Sequence, residues 1–256
     1  MKALIVTGGL ITASERSLSA AARKTLTQWR AAEAAWLDMK VKAVAAEPLV
    51  ACALERRSAR TSPEVREFLA RRESVDIPEL GEVVLGTALA KEGLAYEVTT
   101  VEELFAAPRR RRSLLEGCSW VLLSSTLLRD LSELEPILAL LAGAGRRVVL
   151  GGPLATTLSR EGRLPEGVAV LAVGYGEVLV PALAAWARSG FRVLEAPPGG
   201  ACAALDAGLV LRSGEPKGLS LDHLDTPDWA LAARARGHMP YPIIHYESVR
   251  GCPYRC

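Results

Sequence analysis

The residues with the greatest chemical potential in this 256-residue chain are its last seven, Arg250-Gly251-Cys252-Pro253-Tyr254-Arg255-Cys256. Two thiols on one short loop can reach a common metal or cluster, because thiolates are soft ligands that converge on a single centre. The other cysteines, Cys52, Cys118 and Cys202, are scattered, and an odd total of five fits a reducing compartment and metal chemistry more than disulfides. His223, His238 and His245 are not spaced with cysteines as a zinc site requires. A second set of candidates is gentler: Thr7-Gly8-Gly9, Ser124-Ser125-Thr126, Gly151-Gly152-Pro153 and Gly174-Tyr175-Gly176-Glu177. Hydroxyls donate and accept hydrogen bonds, and glycines let a backbone close on a ligand.

The elements around these clusters explain their positions. Lys2 to Thr7 is a β-branched apolar run that stops at two glycines, the pattern of a buried strand feeding a loop. From about 12 to 78 the pattern is helical: Leu26, Trp29, Ala32, Trp36 and Met39 recur at helical steps, and Thr61-Ser62-Pro63-Glu64 reads as a helix start. At about 70 residues this helical insertion is longer than an ordinary strand-to-helix connection, and it either caps a ligand or packs on the sheet edge. Helices are then expected at Leu80 to Glu92, Leu134 to Ala142 with Pro136 in its first turn, and Val178 to Arg188. Strands are expected at Tyr96 to Thr100, Trp120 to Ser124, Arg147 to Leu150 and Val168 to Val173.

Strands separated by helices pair in parallel, since parallel neighbours need crossovers. The expectation is therefore an α/β domain over residues 1–190: a doubly wound, flavodoxin- or Rossmann-like parallel sheet of five strands. Residues 191–240 read as a linker carrying a small hairpin near Gly208 to Gly214, and residues 241–256 as the first strand of a further domain. In this architecture ligands bind outside the carboxyl ends of the strands, so all four small-residue clusters are expected to line one crevice. The alternative is turn chemistry alone.

Composition removes other classes. Lys plus Arg is 31 against 29 acidic residues, a net charge of +2 that gives no reason to expect nucleic acid or a membrane surface as partner. The one dense basic run, Arg109 to Arg112, reads as a solvated loop. Met1 to Leu10 lacks a signal-peptide core and no window has the roughly 18 apolar residues of a membrane span, so a cytoplasmic chain is expected. Phosphate-binding P-loop, nicotinamide-type glycine and nucleophile-elbow motifs are absent.

The terminal heptapeptide resembles the start of the radical S-adenosylmethionine motif, C-x-x-x-C-x-x-C. The resemblance implies that Cys252 and Cys256 bind a 4Fe-4S cluster whose open iron takes S-adenosylmethionine. The third cysteine would fall at position 259, so the sequence is expected to be the leading part of a longer enzyme with a barrel domain, inactive by itself. Residues 1–190 ahead of that motif, with Gly151-Gly152-Pro153 and Gly174-Tyr175-Gly176-Glu177 in order and Leu224-Asp225-Thr226-Pro227-Asp228-Trp229 in the linker, look like the cobalamin-binding domain of cobalamin-dependent radical S-adenosylmethionine enzymes.

By that resemblance the corrin lies over the strand ends and its nucleotide tail runs down beside the sheet. Thr7, Gly8, Gly9, Ser124, Ser125, Thr126, Gly151, Gly152, Pro153, Gly174, Tyr175, Gly176 and Glu177 become the expected cobalamin contacts. The cobalt-ligating Asp-x-His-x-x-Gly motif of other cobalamin proteins is missing, because Leu221, Arg236 and Ile243 stand two before the histidines. The implied reaction is methyl transfer from methylcobalamin to a radical on a small-molecule or natural-product substrate. Its electron donor would be a flavodoxin or ferredoxin. Two alternatives stand beside it: a methylthiotransferase-like radical enzyme without cobalamin, and a non-catalytic corrinoid-binding module.

Overall fold

The computed structural model describes residues 1–9, 80–128, 130–214 and 224–236. The expected helical insertion and the Cys252 and Cys256 loop lie outside these residues. Four apolar runs and one alternating edge segment form parallel strands: β1 (Lys2–Thr7), the edge strand β2 (Ala95–Thr100), β3 (Trp120–Ser124), β4 (Arg147–Gly151) and β5 (Val168–Val173). Their central members are buried on both faces, as a sheet sandwiched between helices demands. The sheet has seven strands, not five, in the order β2-β1-β3-β4-β5-β7-β6. The extra pair, β6 (Ala201–Leu205) and β7 (Gly208–Arg212), is the hairpin expected in a linker. Its β7 strand pairs in parallel with β5 through Val170–Leu209 to Val173–Arg212, so the hairpin extends the sheet. Val210 and Leu211 are buried there, and that apolar contact with β5 is what recruits it.

Seven helices occur among the described residues. α1 (Leu80–Lys91) and α6 (Gly176–Arg188) cover one face, burying Leu89, Leu179, Val180 and Leu183 against Ile5, Leu122, Val149 and Val170. Gly86 of α1 is required by its neighbour, since a Cβ there would lie 2.8 Å from the Tyr96 hydroxyl. The other face carries α2 (Val101–Ala106), α3 (Pro108–Gly117), α4 (Leu131–Ala142) and α5 (Pro153–Arg160). α7 (Trp229–Arg236) packs against α1 and β2.

Local signals account for the helix starts. Thr100 and Glu103 form a reciprocal capping box at α2, and the Asp130 carboxylate accepts the Ser132 N–H at 3.0 Å to start α4. That cap sets α4 three residues earlier than the apolar pattern suggested, which moves Pro136 out of the first turn. Arg109 to Arg112 are helical and not a loop, because Pro108 occupies the first helical position and Leu114 and Leu115 anchor the next turn in the core. α5, eight residues that begin at Pro153 directly after Gly152, was not among the expected helices, although Leu154, Ala155 and Leu158 fall on one buried face. No described helix is long and apolar enough to cross a membrane.

Candidate functional site

The carboxyl ends of β3, β4 and β5 carry three small residues side by side. Ser124 stands opposite Gly151, and Gly151 opposite Ala172, while Leu122 and Val149 pair one step below. Alternation along a strand points all of these toward the face covered by α1 and α6. Where the row is small, sheet and helices do not meet, leaving a cavity of about 730 Å³. That volume lies within the ordinary range of small-molecule sites. Leu80, Gly81, Val84 and Leu85 of α1 form one wall, and Gly176, Glu177, Leu179 and Leu183 of α6 form another. Leu183 is seven residues beyond Gly176, so the cavity runs roughly 10 Å down the helix from the strand ends.

Two glycine turns shape the mouth. Gly152 has φ +93°, a conformation open to glycine, and a Cβ on it would approach Ser125 Oγ to 2.9 Å. Gly174 has φ +109°, and the space its Cβ would need is taken by the Ser213 side chain. Ser213 Oγ also accepts the Tyr175 N–H at 3.1 Å, so the end of β7 holds the turn after β5. At Gly176 a Cβ would come within 2.8 Å of Leu85, which lets α1 and α6 close over the cavity.

Of the expected contacts, Ser124, Thr126, Gly151, Gly152, Pro153, Gly174, Tyr175, Gly176 and Glu177 line this one cavity. Ser124 and Thr126 share a hydroxyl–hydroxyl bond of 3.0 Å, with Thr126 exposed at the rim. Ser125 does not face the cavity: fully buried, it donates to Gly151 O at 2.6 Å and accepts the Leu154 N–H at 3.1 Å. Its hydroxyl welds β3 to the β4–α5 turn, a structural duty that its neighbours in sequence do not share. Thr7, Gly8 and Gly9 are also outside the lining. Thr7 is buried and donates to Glu82 at 3.4 Å, Gly8 packs beside Thr100, and Gly9 beside Leu127.

Sequence reasoning missed Ala172, the α1 wall and Ser213. Ala172 carried a signal, a small residue at the end of β5 just before the Gly174 turn. The α1 wall and Ser213 carried none, because they reach the site only through tertiary packing.

The described cysteines lie elsewhere. Cys118 precedes β3 at the opposite end of the sheet, is buried, and donates to Ala3 O at 3.5 Å. Burial pushes its thiol up to about 11, with Glu97 adding to the shift and Lys2 and Arg146 opposing it. Cys202 is on the edge strand β6, its thiol also raised by burial. Among the described residues no three His, Cys, Asp or Glu side chains come together to hold a metal. A second cavity, of about 540 Å³, lies on the other face between α4, α5 and residues 163–167, away from the strand ends. No family model, curated protein or solved structure matches the chain.

Proposed function

We propose that this chain is the amino-terminal, cobalamin-binding part of a radical S-adenosylmethionine enzyme, a methyltransferase that places a methyl group on a substrate radical. The observation that carries the reading is the in-register row Ser124–Gly151–Ala172, which opens a deep slot beside the sheet at the strand ends. A flat macrocycle with a long nucleotide tail suits such a site, with glycines at the rim and apolar walls of α1 and α6 running down from the strand ends. The heptapeptide Arg250 to Cys256 adds support from the sequence.

Gly152, Gly174 and Gly176 would let the backbone approach the face of the corrin, and Thr126 and Ser124 would hydrogen-bond its amide side chains or the tail. Leu85, Leu179 and Leu183 would exclude water from the tail. A corrin so held supplies a transferable methyl group, and the cluster bound through Cys252 and Cys256 supplies the electron for radical formation.

The test is retention of hydroxocobalamin by the purified chain after desalting, read from the visible spectrum, beside Gly151→Phe. Gly151 is the best blocking position, because its backbone is unstrained and its Cβ direction meets only ordinary contacts at 3.8 and 4.0 Å. Stoichiometric corrinoid that Gly151→Phe loses, while keeping its circular dichroism, is the expected result. No retention by a folded chain would sink the cobalamin reading and favour a methylthiotransferase-like enzyme.

A further inference from the structure

We propose that residues 224–236 form a strap behind the α1 wall of the cavity, and that docking of this strap and filling of the cavity favour one another. The inference rests on the reading of the cavity as a corrinoid site and adds how its occupancy is sensed. α1 is held from two sides. On one flank Leu80, Gly81, Val84 and Leu85 line the cavity, and Leu85 meets α6 where Gly176 leaves room for it. Thr87 is two residues beyond Leu85, about 200° round the helix, and so belongs to the opposite flank. It is buried there, and its hydroxyl donates to Val83 O at 2.8 Å and accepts the Asp228 N–H at 2.8 Å. Asp228 in turn starts α7, its carboxylate accepting the Leu231 N–H at 2.8 Å. Lys91, at the end of α1, pairs with Asp225.

The strap is held lightly. Ala232 and Ala233 of α7 are buried but small, and the Lys91–Asp225 pair is half exposed, where an ion pair contributes little. A contact this slight opens at little cost, so its docked population follows the position and order of α1. A ligand in the cavity gives Gly81, Val84 and Leu85 a packing partner and fixes α1. The strap then docks on a helix already ordered, and the shared cost of ordering makes the two events cooperative. By reciprocity the docked strap tightens the cavity for its ligand by the same factor. α7 is the last described element before Cys252 in sequence, so occupancy of the cavity would be felt on the way to the cluster.

Trypsin cleavage after Arg234, an exposed residue inside α7, reports the strap, because a docked helix must open before it is cut. Mass spectrometry follows that site on the purified chain, with cleavage in the Arg109 to Arg112 run of α3 on the other face as internal control. Saturating hydroxocobalamin is expected to slow cleavage after Arg234 by about fivefold or more and to leave α3 unchanged. Thr87→Val, which keeps the shape of the side chain and removes its hydroxyl, is expected to speed that cleavage and weaken hydroxocobalamin binding, and Thr87→Ser to restore both. Leu85→Ala tests the coupling without corrinoid: it trims the cavity flank, on the far side of α1 from Thr87, and is expected to speed cleavage after Arg234 while α3 stays protected. Retained hydroxocobalamin with unchanged cleavage after Arg234 would overturn the coupling and leave the corrinoid site in place. No retention by a chain with native circular dichroism would overturn the corrinoid reading, and Leu85→Ala with unchanged cleavage after Arg234 would overturn the strap whether or not corrinoid binds.

Discussion

Ser213 Oγ fills the space that a side chain on Gly174 would need, and accepts the neighbouring Tyr175 N–H at 3.1 Å. A residue of the added hairpin therefore sets the backbone of a turn at the cavity mouth. Gly174→Ala forces a Cβ into an occupied space at φ +109° and should cost about 2–3 kcal/mol. Ser213→Ala removes one acceptor and should cost about 1 kcal/mol. Urea denaturation midpoints check both, and the order of severity is the discriminating result.

The serines and threonine after β3 should divide by role. Ser125→Ala strips the buried Leu154 N–H of its acceptor and is expected to destabilise by about 1–3 kcal/mol. Thr126→Val, at an exposed position, should change stability by less than about 0.5 kcal/mol yet weaken corrinoid retention. A stable Ser125→Ala would contradict the weld described for its hydroxyl.

Alkaline pH should weaken the fold. Burial raises the Cys118 thiol from 9.0 to about 11; it also raises the Tyr96 hydroxyl from 10.0 to about 12, with the charges of Glu82 and Asp228 adding and Arg234 opposing. Between pH 9 and 12 the unfolded chain has released these protons while the folded chain still holds them. Stability is thus fully present below pH 9 and falls as pH rises through that window. Melting temperature against pH measures it, and Tyr96→Phe should flatten the upper part of the decline. At pH 8 an alkylating reagent should modify Cys202 before Cys118, as peptide mapping would show.

The basic run of α3 should behave unevenly. Arg111 is turned toward the body of the protein and donates to Leu104 O at 3.0 Å, whereas Arg109 and Arg112 are exposed. Arg111→Ala is expected to cost about 1 kcal/mol, and Arg109→Ala or Arg112→Ala less than about 0.5 kcal/mol. Thermal melts of the three variants decide it.

Periodicity and punctuation determined the core of this architecture. β1, β3 and β5 have the bounds that their apolar runs and terminal glycines or hydroxyls predict, because a strand buried on both faces needs an uninterrupted apolar segment. That members of the clusters after β3, β4 and β5 share one cavity was legible for a related reason: small residues at the ends of parallel strands lie along one edge. The heptapeptide ending in Cys256 is likewise a property of the sequence alone.

Tertiary structure decided what depends on lateral register and on distant packing. Nothing in the local sequence of Gly208–Arg212 says that its strand will pair with β5, since that depends on an unpaired edge elsewhere in the fold. The same holds for the row Ser124–Gly151–Ala172, whose members are neighbours only because the strands align at those rungs. Ser125 and Thr126 are adjacent and chemically alike, yet one is a buried strut and the other a rim hydroxyl. Side-chain direction alternates along the chain, and only the assembled sheet and helices determine which direction leads into the cavity.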